Sequence, residues 1–212
     1  MNRLIRTLAL GAAFCFASRA FAGTYDALLR AIEIDDSRTV AALLKRGVDV
    51  ETVNPKGDTL LMIAARNGKP ELVKTILAAK PKLNARNAHG ESALMLAAIN
   101  GRADVVKMLL DAGADVNQPG WTALMYAATS NRMDVARLLL ARGAQVNATA
   151  QNGTTALMMA SREGHLPMVL LLLENGADVN YTSAYGYNAL GVAKERGQRE
   201  ITDVLVRAGA GR

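Results

Sequence analysis

The chain has 212 residues, 50% of them hydrophobic and 21% charged, which suits one folded domain and excludes a disordered polymer. Aromatic residues make up only 4%, whereas Ala and Leu together supply 66 residues, a skew that disfavours β-sandwiches and barrels and favours short, closely packed helices. One cysteine excludes a disulfide framework and a cysteine-based metal site, and the formal charge of +6 invites an anionic partner.

The N-terminus reads as a separate element. Arg3 and Arg6 form a basic start, Thr7 to Ala17 is almost wholly apolar, and Ala20-Phe21-Ala22 places small residues at −3 and −1 before Gly23. These are the parts of a secretory signal peptide. The apolar run is well short of the ~20 residues a spanning helix needs, and Arg19 interrupts any extension. Phe14 before Cys15 does not fit a lipoprotein signal. Residues 1–22 are therefore expected to be removed after Ala22, an uncleaved anchor being the alternative, with the mature chain periplasmic or secreted and not stably inserted in a membrane. Removal takes away three arginines and no acid, so the charge falls from +6 to +3.

The remainder repeats. Gly57, Gly90, Gly120, Gly153 and Gly186 are spaced 33, 30, 33 and 33 residues apart. Similar segments follow each, such as Glu91-Ser92-Ala93-Leu94-Met95 and Thr154-Thr155-Ala156-Leu157-Met158. Thr59, Ser92, Thr122, Thr155 and Asn188 stand where helix N-caps belong, just before apolar runs. A second block follows each, as in Asp104 to Asn117, ending at Gly113 and at its relatives Gly47, Gly143, Gly176 and Gly209, where a left-handed residue closes a helix. Lys80 holds that position in one copy. Helices this short are marginal alone and must gain stability from neighbouring copies.

These segments resemble the ankyrin-repeat family, whose pattern is G-x-T-P-L-H-x-A-A followed by a second helix ending L-L-x-x-G-A-D-V-N. The resemblance implies an all-α repeat solenoid of helix-turn-helix units with β-hairpin fingers, in about six copies including caps. Their bounds are 24–55, 56–88, 89–118, 119–151, 152–184 and 185–212, all within a domain over 23–212. The chain resembles exported bacterial members of the family, a eukaryotic secretory route being the alternative that the signal itself leaves open. Two departures stand out. The family's His is replaced by Met62, Met95, Met125, Met158 or Gly191, which predicts cohesion by packing more than by a polar network. The 30-residue step leaves only Gln118-Pro119 before Gly120, which predicts a notch in the row of fingers.

The family binds proteins through fingertips and the exposed side of the first helices, which line a concave face. Large or charged side chains there are candidates for a partner surface: Asp58, Glu91, Trp121 and Tyr187 after the marker glycines, Tyr126 in a first helix, Tyr181 and Tyr185 near the last finger, and Arg66, Arg162 and Arg196 at first-helix ends. His165 falls at a scaffold position and His89 at a fingertip; neither is spaced for a metal site or a catalytic triad. The basic residues between Arg66 and Arg86 read as a solvated outer face, and no stacking platform or recognition helix suggests nucleic acid. The expectation is a monomeric, non-catalytic protein-binding module without cofactor or metal. An immunity or inhibitor protein for a toxin or envelope enzyme, or an envelope-associated structural protein, is the alternative.

Overall fold

The computed structural model describes residues 23–211. The proposed signal segment, Cys15 included, lies outside them. Among the described residues the chain forms twelve helices in six pairs. The first helices of successive units are α1 (23–33), α3 (Leu60–Asn67), α5 (Ala93–Ile99), α7 (Ala123–Thr129), α9 (Ala156–Glu163) and α11 (Ala189–Glu195). The second helices are α2 (Ser37–Lys45), α4 (Pro70–Ala78), α6 (Ala103–Asp111), α8 (Met133–Ala141), α10 (Leu166–Glu174) and α12 (Arg199–Arg207). From α3 onward each first helix packs on the next, each second helix packs on the next, and the two helices of a unit pack on each other. The fold is an all-α repeat solenoid.

The helices form where the sequence places their caps. Thr59, Thr122 and Thr155 accept hydrogen bonds from the N–H groups of Met62, Met125 and Met158 (3.3, 3.3 and 3.2 Å), and Asn188 accepts one from Gly191 (2.7 Å). Ser92 departs from this scheme: its hydroxyl is buried without a partner among the described residues, while its N–H donates to the Met95 sulfur at 3.4 Å. Thr59 N–H donates to the Met62 sulfur in the same way. Met62 and Met95 thus fill the core and also act as weak acceptors where a capping-box Glu or Gln would stand. Lys80 adopts the left-handed conformation of the glycine it replaces (φ 56°).

The core is one continuous stack. Leu60, Leu61, Met62, Leu94, Met95, Leu124 and Met125 are fully buried, and so are the alanines at 64, 65, 97, 98, 127 and 128 that let first helices approach closely.

Cohesion between repeats is more polar than the Met-for-His replacement implies. Asn117 and Asn147 each accept from an N–H of the next loop, that of Gln145 or Asp178 (2.8 Å each), and donate to a carbonyl there, that of Gly143 or Gly176 (2.9 and 3.0 Å). Asn180 repeats this toward Gly211 and Gly209, and Asn84 accepts from Asp115 N–H. A second ladder joins first helices to the neighbouring unit. Arg132 and His165 reach the carbonyls of Ile99 and Thr129 (3.0 Å each), and Arg102 reaches that of Arg66 (3.5 Å). A carbonyl only accepts, so the His165 ring must carry its proton on Nε2. These contacts satisfy helix C-terminal carbonyls that would otherwise lack partners. Gly68 suits its position because its φ of 66° is left-handed and because a Cβ there would force the Arg102 side chain to move.

The fingers are tighter than hairpins. At Asn54, Asn87, Ala150 and Ser183 each turn is closed by two backbone hydrogen bonds; in the second, Asn87 N–H donates to Glu91 and Gly90 N–H to Asn87 (3.0 and 2.9 Å). Strand-like pairing among the described residues is confined to the bridges Val53–Thr59 and Thr182–Asn188, because the helix N-cap follows at once and leaves no length for a ladder. The shortened third finger is not the open notch its length suggests. Arg86 donates to Gly90 O (3.0 Å) and across to Pro119 O (2.7 Å), and buried Gln118 donates to Asn84 (3.3 Å). Three missing residues leave Pro119 O without a donor in its own finger, and the neighbouring guanidinium supplies one.

Candidate functional site

The repeat stacks residues 33 positions apart above one another, which decides what the candidate side chains can do. Asp58 is not on the surface: it is 1% exposed, paired with Arg66 at 2.9 Å and bonded by Asn87 Nδ2 at 2.7 Å. Burial pushes its carboxyl pKa up, but the hydrogen bonds from Asn87 and Arg66 and the Arg66 charge outweigh this and hold it below the usual carboxylate value. Asn87 also donates to Glu91 (3.0 Å), and the Tyr126 hydroxyl donates to the other Glu91 oxygen (3.4 Å). Burial and the neighbouring Glu91 carboxylate push the Tyr126 phenol up to about 12. Asp58, Arg66, Glu91 and Tyr126 therefore belong to one hydrogen-bonded network, buried at Asp58 and part-exposed elsewhere, that ties three units together.

Four of the other six candidates fall on a separate groove. Trp121, Tyr187, Arg162 and Arg196 line a single cavity of about 290 Å³ with Asn152, Thr154, Met158, Met159, Val192 and Glu195. The third, fourth and fifth fingers supply Trp121, Asn152, Thr154 and Tyr187, and helices α9 and α11 supply the floor. Trp121 is half-buried and braced by Tyr126, ring centroids 5.7 Å apart at 52°. Tyr187 is 57% exposed. Tyr185 is 70% exposed but does not line the groove. Tyr181 is half-buried against the core, its hydroxyl close to Gly153 of the previous finger.

A larger cavity of about 560 Å³ lies between α2 and α4, lined by Leu44, Lys45, Lys74 and Ala78 among others, and no sequence candidate reaches it. The basic run is partly neutralised: Arg66 pairs with Asp58, Lys69 with Asp35 (3.2 Å), and Arg86 holds two carbonyls. Among the described residues no cluster of three His, Cys, Asp or Glu side chains is placed to hold a metal ion. None of the described helices is long and apolar enough to cross a membrane.

Three family models match the chain in succession, ankyrin repeats (3 copies) over residues 28–120, ankyrin repeat over 119–151, and ankyrin repeats (many copies) over 139–193. The chain belongs to the ankyrin-repeat family. Ankyrin repeats are general protein–protein interaction modules, and the groove lies where this ankyrin chain brings fingers and first helices together. Comparison with curated proteins gave no match.

Sequence reading missed three features of this ankyrin-repeat chain. The asparagine ladder was visible as Asn84, Asn117, Asn147 and Asn180, spaced 33, 30 and 33. The clamp by Arg86 and the Asp58–Asn87–Glu91 chain carried no periodic signal.

Proposed function

We propose that the protein is an exported, non-catalytic binding module that docks a folded partner in the groove between Trp121 and Tyr187. The observation that carries this reading is that Trp121, Tyr187, Arg162 and Arg196 line one cavity. Exposed aromatic and arginine side chains over an apolar floor are the composition of interface hot spots, and methionines adapt to varied apolar surfaces. Two backbone hydrogen bonds close the fourth and fifth fingers, and side-chain bonds tie neighbouring units together, so little ordering cost remains to be met on binding.

Export rests on the basic, apolar and Ala-x-Ala parts of residues 1–22. N-terminal sequencing of the protein recovered from the periplasm or medium should begin at Gly23; recovery of the whole chain from the cytoplasm would contradict it. The docking site is tested by affinity capture from envelope extract with wild type and with Trp121→Ala/Tyr187→Ala. The reading expects a partner held by wild type and lost by the variant at unchanged helicity. Capture of the same partner by both would contradict it.

A further inference from the structure

If partners dock in the Trp121–Tyr187 groove, as proposed above, the lining also states the chemistry of the occupant. The cavity has two unlike ends. Trp121 and Tyr187 stand at the finger end over Met158, Met159 and Val192, while Arg162, Glu195 and Arg196 stand at the helix end. Arg162 uses only its Nε, donating to Glu163 at 2.9 Å. Its terminal nitrogens carry no hydrogen bond among the described residues. Nor does any part of the exposed Arg196 side chain. This contrasts with Arg66, Arg86, Arg102, Arg132 and Arg142, each engaged by a carboxylate or a carbonyl.

Arg162 is paired with Glu163, and Glu195 lines the cavity beside Arg196, so what the helix end offers is free guanidinium N–H groups and not a surplus of charge. A guanidinium with free terminal N–H groups takes a carboxylate in two parallel hydrogen bonds. The surplus positive charge of the whole chain acts in the same direction at longer range. A volume of about 290 Å³ accommodates one or two side chains rather than a folded lobe.

The geometry points to an acidic peptide segment of the partner as the occupant, one that places a bulky apolar side chain between Trp121 and Tyr187 and an Asp or Glu carboxylate on Arg162 and Arg196. The apolar residue packs between the two rings, and the carboxylate fixes its register.

Trp121 is the only tryptophan, so its emission reports occupancy of this groove directly. The probe is a displayed library of random peptides selected on the folded chain, followed by synthesis of the enriched sequences and of copies with Asp and Glu replaced by Asn and Gln. Enriched sequences should pair an aromatic or large aliphatic residue with an acid and should shift Trp121 emission. The amidated copies, and Arg196→Glu with the acidic peptides, should bind about tenfold more weakly. Arg196 has no described side-chain partner, so that variant keeps the fold. Enrichment of neutral or basic peptides, indifference to amidation and to Arg196→Glu, or no enrichment at all would overturn the assignment. A captured protein partner lost by Trp121→Ala/Tyr187→Ala but indifferent to Arg196→Glu would overturn only the acidic segment and leave the docking site standing.

Discussion

Replacing Asp58 by Ala tests whether the first half of the finger row is internal support or open surface. The carboxylate is 1% exposed and receives Arg66 at 2.9 Å and Asn87 at 2.7 Å, so its loss leaves a guanidinium and an amide without their acceptor. Hydrogen bonds to charged groups contribute about 1.5–3 kcal/mol each, but Arg66 remains 34% exposed and can recover water. The expected net cost is about 2 kcal/mol at neutral pH, or a fall in melting temperature of about 4–8 °C for a chain of this size.

The pH dependence follows from linkage. Asp58 has a pKa below its ordinary value in the fold, so its contribution is present above the unfolded value and is lost as pH falls through the folded one. The gap between wild type and Asp58→Ala should be full at neutral pH and should close below about pH 4. Urea and thermal unfolding followed by circular dichroism across that range measure it. Equal stability of the two proteins at neutral pH, or a gap that ignores acid, would refute the internal-network assignment and return Asp58 to the surface.

Lys80→Gly should stabilise the fold by about 0.5–1 kcal/mol, because the left-handed φ of 56° strains a residue with a Cβ; an unchanged or lowered denaturation midpoint would contradict this. Asn147→Ala removes two exposed inter-repeat hydrogen bonds, at 2.8 and 3.0 Å, and should cost about 1 kcal/mol in chemical denaturation. Tyr126 should titrate near 12 by ultraviolet absorbance, and Glu91→Gln should lower that value by removing the neighbouring charge. Because the folded phenol holds its proton more tightly than the unfolded one, its contribution to stability is full below about pH 10 and declines as pH rises toward 12.

The fold was legible because the repeat makes every local statement several times over. One Thr before one apolar run is weak; Thr59, Thr122 and Thr155 at matching positions fix the register, and Lys80 was recognisable as a left-handed residue only by comparison with its glycine relatives. The groove was legible for the same reason, since residues in successive copies stack and Trp121, Arg162, Tyr187 and Arg196 therefore converge. Asp58 holds a surface position in the repeat, and its burial was not legible because it depends on Asn87, 29 residues on in the next finger, and on Arg66, which itself stays part-exposed. The shortened finger misled in a related way: deleting residues removes a donor as well as bulk, and Arg86, itself unremarkable in sequence, makes good the loss. Met for His does not leave the repeats dependent on packing alone, since asparagine side chains bridge every unit boundary from Asn84 onward and Arg102, Arg132 and His165 bridge three of them.

The most direct test of the docking site is the dissociation constant of a captured partner for three forms of the chain: wild type, Trp121→Ala/Tyr187→Ala, and Tyr185→Ala. Tyr185 is the internal control, an exposed tyrosine on the same finger as Tyr187 that does not line the groove. The groove account predicts a loss of about 2 kcal/mol or more for the double variant and no measurable change for Tyr185→Ala. Equal affinity of the double variant and wild type, or an equal loss at Tyr185, would contradict it.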